Sequence, residues 1–168
     1  TRGSHVITDL DGKVEMIIDA GPTGVGVEST VLDLTGARPR ILRPGGVTRE
    51  MLEAVLGEGT VDAPEQVKGS RPLAPGMKYR HYAPQASLHL LTGETTSIQS
   101  FLQEKVDQAR KGGKKIGILA YDEDRSAVLS PAEVTFLSLG RRMNPKEGAE
   151  RLFHLLRLCD QAGVDEIY

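Results

Sequence analysis

Three short stretches of this chain combine the residue types that hold anions, carboxylates and aromatic rings. The first is Gly21-Pro22-Thr23-Gly24-Val25-Gly26-Val27-Glu28-Ser29-Thr30. Glycine readily takes φ > 0 and lets backbone N–H groups approach an anion. The Ser29 and Thr30 hydroxyls just beyond could add donors to a phosphate or a carboxylate. No lysine precedes the Ser-Thr pair, and β-forming residues rather than a helix follow, so this is neither a Walker A loop nor a dinucleotide fingerprint. Taken alone it reads as a structural turn or as a ligand loop, the turn being the simpler of the two.

The second stretch is Leu42-Arg43-Pro44-Gly45-Gly46. An arginine at a strand end beside two glycines is well placed to hold a phosphate with both arms of its guanidinium. A solvated arginine at an ordinary strand end is the plainer alternative. The third is Lys78-Tyr79-Arg80-His81-Tyr82, where aromatic rings beside basic groups could stack on a base while contacting phosphates. Docking of the tyrosines between domains is the competing reading. The remaining polar groups carry less. His5, His89 and His154 lack metal-ligand spacing, and no metal-binding set is expected. Cys159 lies on an apolar helix face and reads as a small core residue. Asp122-Glu123-Asp124 follows a strand, where open α/β sheets bind ligands, but a solvated acidic loop is the simpler account.

The elements that must position these residues are short and alternate. Val6, Ile7 and Leu10 give a brief helical pattern. Strands are expected over residues 14–20, 28–34 and 40–43. Thr48 can cap a helix carrying Met51, Leu52, Val55 and Leu56, with Gly57 as its stop. Residues 58–86 hold four prolines and three glycines without sustained periodicity and read as a linker. Beyond it come strands at 88–91, 116–120 and 134–137, and a further strand opening at Val164. Two helices separate them. Thr96 with Gln99 should form a capping box for one, and Asn144-Pro145-Lys146-Glu147 marks the start of the other. Repeated β-α units predict a small three-layer Rossmann-like domain over 87–168. Residues 1–57 are too few for a secure core and read as the tail of a larger α/β domain.

Composition narrows the class. Of 168 residues 39% are hydrophobic and 26% charged, and 21 basic against 23 acidic side chains leave a formal charge of −2. That balance is ordinary for a globular protein and argues against a dedicated nucleic-acid binder. No apolar run reaches the ~20 residues that span a bilayer. The single cysteine excludes an intrachain disulfide and suits a reducing, cytosolic setting. Both ends read as cut, so the chain is expected to be a piece of something longer.

In combination the three stretches are specific. The Gly-rich loop running into Val-Glu-Ser-Thr-Val, then Ile-Leu-Arg-Pro-Gly, then Pro-Gly-Met-Lys-Tyr-Arg-His-Tyr-Ala-Pro, closely resembles the L-threonylcarbamoyl-AMP synthases of the two-domain type. The late Arg151-Leu-Phe-His-Leu-Leu-Arg157 helix and Gly163-Val-Asp resemble that family's C-terminal domain, and the likeness covers essentially the whole chain. The resemblance implies that 1–57 is the C-terminal part of a YrdC-like α/β catalytic domain, 58–86 the linker across its cavity mouth, and 87–168 the Rossmann-like domain. It further implies that L-threonine, bicarbonate and ATP, with Mg²⁺ bound mainly through the nucleotide, give threonylcarbamoyl-AMP and pyrophosphate. The product passes to tRNA-modifying partner proteins, which place the group on an adenosine beside the anticodon. By the same resemblance Ser29 contacts threonine, Arg43 contacts ATP, and a linker tyrosine, Tyr79 or Tyr82, contacts the nucleotide. The family's basic N-terminal signature and Ser-Ala-Asn segment are absent from this sequence, so the chain alone is not expected to be active. A non-catalytic nucleotide-binding or regulatory module is the rival reading, and a carbamoyltransferase-type maturation enzyme is disfavoured by the linker and the domain after it.

Overall fold

The computed structural model describes residues 2–64, 74–76, 82–128 and 134–168. In chain order the elements are α1 (Gly3–Leu10), β1 (Val31–Asp33), β2 (Arg40–Arg43), α2 (Arg49–Leu56), β3 (Ser87–Leu88), α3 (Thr95–Gly112), β4 (Ile116–Ala120), β5 (Thr135–Ser138), α4 (Pro145–Ala162) and β6 (Glu166–Ile167). They gather into two compact units that do not follow chain order. Val25–Tyr82 is one, and Thr1–Gly24 joins Ala83–Tyr168 in the other.

The second half builds a parallel sheet in the order β3-β6-β4-β5. β4 is apolar along its length because it has a strand on either side and a helix over each face. Ile116 and Ile118 pack with Val106 and Ala109 of α3. On the opposite face Leu156 and Cys159 of α4 meet Ile167, Val164 and Ala86. Gly117 permits that approach, since a Cβ there would stand 3.3 Å from the Cys159 sulfur. Burial pushes the Cys159 thiol up to about 11, so it is inert packing. Helix, sheet and helix form the three-layer Rossmann-like arrangement that the periodicity predicts.

Helix ends follow the sequence signals better than helix starts. Gly113 (φ 66°) and Gly163 (φ 63°) close α3 and α4 in the left-handed region that glycine enters without a Cβ penalty. The Thr96–Gln99 capping box does not form: α3 starts two residues earlier than that cap implies, behind Glu94, which makes no side-chain cap bond. At α4 Asn144 is the cap residue and Pro145 follows, but the Asn144 amide donates to the Glu147 carboxylate at 2.8 Å. Glu147 also accepts the Arg141 N–H at 3.2 Å. That N–H, then the Asn144 amide, hold the carboxyl below its ordinary range. The acidic loop is likewise tied internally, with Arg142 N–H donating to Glu123 at 3.1 Å and its guanidinium pairing with Asp124.

Residues 14–20 are not a strand. A strand requires a neighbour for its N–H and C=O groups, and among the described residues this run has none. Met16 and Ile18 are 77% and 85% exposed. The expected helix before it is present, and α1 lies against α4. His5 Nε2 stands 3.1 Å from His154 Nδ1, the two rings stack, and the Arg157 guanidinium binds the Asp9 carboxylate.

The histidine pair makes this contact pH-sensitive. Burial lowers both imidazoles below 6.5, and for His5 the nearby Arg157 charge adds to it. A histidine whose folded pKa is depressed binds more protons when unfolded, so stability rises with pH through that window and is lost on acidification. Acidification through the range in which these histidines protonate should weaken the α1–α4 contact while the Asp9–Arg157 pair is still ionised, because the Arg157 hydrogen bond holds the Asp9 carboxyl below the ordinary carboxylate range. Replacing both rings, His5→Phe with His154→Phe, should abolish this acid response in pH-dependent NMR spectra of α1, and either single variant should reduce it. A response that survives in the double variant would exclude the pair as its source.

The smaller unit is organised around an antiparallel pair, Val31 opposite Arg43, Leu32 opposite Ile41 and Asp33 opposite Arg40. Ile41 and Val61 are its buried centre. Asp62 extends it by accepting the Ile41 N–H at 3.1 Å. Thr48 caps α2 as predicted, accepting the Met51 N–H at 3.3 Å, and Gly57 follows its last residue. Among the described residues no helix is long and apolar enough to cross a membrane.

Candidate functional site

The β1–β2 register brings two of the predicted site residues together. Ser29 lies two residues before β1, and Arg43 is the last residue of β2. The Arg43 guanidinium donates to the Ser29 carbonyl from Nε at 3.2 Å and from Nη2 at 2.9 Å. Nη2 also stands 3.2 Å from Ser29 Oγ, and Nη1 donates to the Pro75 carbonyl at 2.7 Å. Ser29 is exposed and Arg43 half-buried. A hydroxyl and a delocalised cation thus share one open surface, a combination suited to a carboxylate or phosphate.

The segment after Arg43 fixes the Ser29 loop. Gly45 passes so close that a Cβ would fall 2.4 Å from the Ser29 carbonyl carbon and 2.3 Å from the Glu28 oxygen. Gly46 N–H donates to Glu28 O at 2.9 Å, and the Thr30 hydroxyl accepts the Val47 N–H at 3.1 Å. Glycine at 45 is therefore a steric requirement of the site, which explains the Arg-Pro-Gly-Gly order.

Of the two tyrosine candidates, Tyr82 is described and Tyr79 lies outside the described residues, as do Lys78, Arg80 and His81. Tyr82 belongs to the same compact unit as Ser29 and Arg43. It is 62% exposed, and its φ of 55° makes it the one non-glycine with positive φ among the described residues. Such a conformation in a bulky residue costs energy and is found disproportionately at functional positions. Sequence reasoning missed Pro75 and Gly76 as partners of Arg43. Their signal was the Pro-Gly pair itself, since Gly76 takes φ +80° and puts a hypothetical Cβ 3.2 Å from Arg43 Nη1. Among the described residues no group of three or more His, Cys, Asp or Glu could hold a metal ion.

In the other unit a shallow cavity of about 430 Å³ lies between α3 and the β3–β6 edge, lined by Ser87, His89, Phe101, Lys105, Glu166 and Tyr168. Several of its groups are committed to one another or to a neighbour. The Tyr168 hydroxyl donates to Glu166 at 2.6 Å, Lys114 pairs with the same carboxylate at 2.8 Å, and the His89 ring stacks on Tyr168. Burial first, then the Glu166 bond, push the Tyr168 phenol up to about 12.

Comparison with known proteins finds matches to both parts of the sequence. The family model described as "Threonylcarbamoyl-AMP synthase, C-terminal domain" matches residues 47–168, and one described as "Telomere recombination" matches residues 1–45. The threonylcarbamoyl-AMP synthase of Bacillus subtilis is 42% identical over 99% of this chain, and that of Pyrococcus abyssi 40% identical over 99%. The chain spans 46% and 47% of those relatives' lengths. A crystal structure of P. abyssi Sua5 complexed with L-threonine superposes with a TM-score of 0.78 at 36% identity, covering 99% of this chain and 47% of that one. A second structure, of P. abyssi Sua5 with a consecutive His-Tyr pair replaced by alanines, superposes equally well at a TM-score of 0.78 and 36% identity, covering 99% of this chain and 46% of that one. Sequence motifs, parallel-sheet fold and the family match over 47–168 agree: the chain belongs to the threonylcarbamoyl-AMP synthase family.

Proposed function

We propose that the chain forms the C-terminal part of a synthase that makes threonylcarbamoyl-AMP and pyrophosphate from L-threonine, bicarbonate and ATP, for delivery to tRNA-modifying proteins. In this reading residues 1–57 complete the catalytic domain, 58–86 link it to the Rossmann-like domain, and 87–168 are that domain. The observation that carries the reading is the Ser29–Arg43 pair, with Nη2 3.2 Å from Oγ on one open surface. Ser29 holds threonine, and Arg43 holds the nucleotide phosphates. Tyr82 or Tyr79 stacks on or borders the nucleotide. The sole His-Tyr pair of this sequence is His81-Tyr82, which favours Tyr82, since a His-Tyr pair is what was altered in the second P. abyssi structure.

The chemistry joins the threonine nitrogen to the bicarbonate carbon with loss of one oxygen as water, and an oxygen of the resulting carbamate then displaces pyrophosphate from the α-phosphorus of ATP. The residues of this chain bind and orient for that step. Mg²⁺ accompanies the triphosphate as part of the substrate complex.

Ser29→Ala tests the assignment in the full-length synthase. Loss of one hydroxyl contact should weaken threonine about 2- to 13-fold by calorimetric titration, with ATP affinity kept, because the Ser29 carbonyl still receives Arg43. Unchanged threonine affinity would remove Ser29 from the site.

A further inference from the structure

We infer that Arg43 is a positioning residue that locks the Ser29 loop to the Ala74-Pro75-Gly76 turn, so that the seating of that turn and the geometry of the threonine site depend on one another. The inference rests on the proposed role of Ser29 in holding threonine. Its basis is the hydrogen-bond pattern. The guanidinium is planar and rigid, and its edges are shared between two backbone segments far apart in sequence. Nε and Nη2 converge on the Ser29 carbonyl at 3.2 and 2.9 Å, while Nη1 reaches the Pro75 carbonyl at 2.7 Å. Bridging two carbonyls in fixed directions is a task for a fork of donors; a lysine ammonium reaches one or the other.

Both carbonyl-bearing segments are shaped for the junction. Proline at 75 fixes φ and offers a carbonyl without an N–H of its own. Gly76 turns away at φ +80°, and a Cβ there would stand 3.2 Å from Nη1, so the turn lies directly on the guanidinium. Ala74, the residue before Pro75, is buried at 6% exposure. Across the junction Ser29 is pressed against the Gly45 backbone. The Ser29 loop therefore has one rigid wall, and its other boundary is the Arg43 side chain. Removal of that side chain frees the Ser29 carbonyl and hydroxyl together and leaves the 74–76 turn without its partner.

Two measurements test this. In the 168-residue chain, the heteronuclear NOE of the Gly76 amide should fall markedly in Arg43→Ala and fall partway in Arg43→Lys, with β4 amides unchanged. In the full-length synthase, titration of L-threonine without nucleotide should show affinity about 3- to 10-fold weaker in Arg43→Ala, a loss appropriate to disturbed hydrogen-bond geometry. Gly76 as ordered in the alanine variant as in the wild type, or threonine affinity unaltered without nucleotide, would overturn the junction. Either result is separable from the nucleotide role of Arg43, which is read by ATP titration. Weakened ATP with an intact Gly76 signal and intact threonine binding leaves the nucleotide contact standing and removes the junction. A loosened Gly76 and weakened threonine with ordinary ATP affinity do the reverse.

Discussion

Arg43→Ala in the full-length synthase is expected to lower ATP affinity about 10- to 150-fold, the equivalent of roughly 1.5–3 kcal/mol for a charge-assisted contact. The guanidinium donates to the neutral carbonyls of Ser29 and Pro75. A phosphate beside a guanidinium already oriented by these carbonyls adds a charge-assisted contact, and the alanine variant loses it. Arg43→Lys retains the charge and loses the planar fork, so it should recover only part of the affinity. Calorimetric titration of ATP into both variants measures this directly. Ordinary ATP affinity in the alanine variant would take Arg43 out of the nucleotide site.

That Ser29 and Arg43 lie side by side was not legible in the sequence, for a local reason. Each residue alone has an ordinary explanation, a turn hydroxyl and a strand-end arginine. What brings them together is the antiparallel register that sets Val31 opposite Arg43, and register is a long-range property that neither stretch encodes by itself. The steric role of Gly45 is similar. A Gly-Gly pair announces a turn, whereas the 2.4 Å approach to Ser29 appears only once the two strands are side by side.

Residues 87–168 were more transparent because their signals are local and repeated. The apolar run Ile116–Ala120 needs cover on both faces, and the helices on either side of it carry matching stripes that end in glycine. The failures there are at helix starts. The Glu147 carboxylate is claimed by Arg141 and Asn144, so the anticipated box gives way to a network that includes a residue outside it. Residues 14–20 failed for the opposite reason. Their β-forming composition is a capacity to pair, and a strand exists only where a neighbour meets it.

The 168-residue polypeptide on its own is expected to yield no detectable pyrophosphate from ATP, L-threonine and bicarbonate. Three reactants must be held together, and correct positioning alone accounts for about 7–11 kcal/mol of barrier in well-oriented reactions. Preorganised donors aimed at developing charge contribute on the order of 10²–10³-fold each. Against that requirement the described residues of the candidate site bring one guanidinium beside one serine hydroxyl. The chain also spans less than half of the relatives that carry the synthase name, at 46% and 47% of their lengths. Binding of individual ligands at Arg43 and Ser29 would leave this expectation intact, since affinity without alignment gives no rate. A coupled pyrophosphate assay with the purified polypeptide, run beside the full-length synthase, decides it. Turnover that persists in the polypeptide and disappears in Arg43→Ala would mean that these residues suffice for catalysis and that the remainder of the synthase serves another purpose.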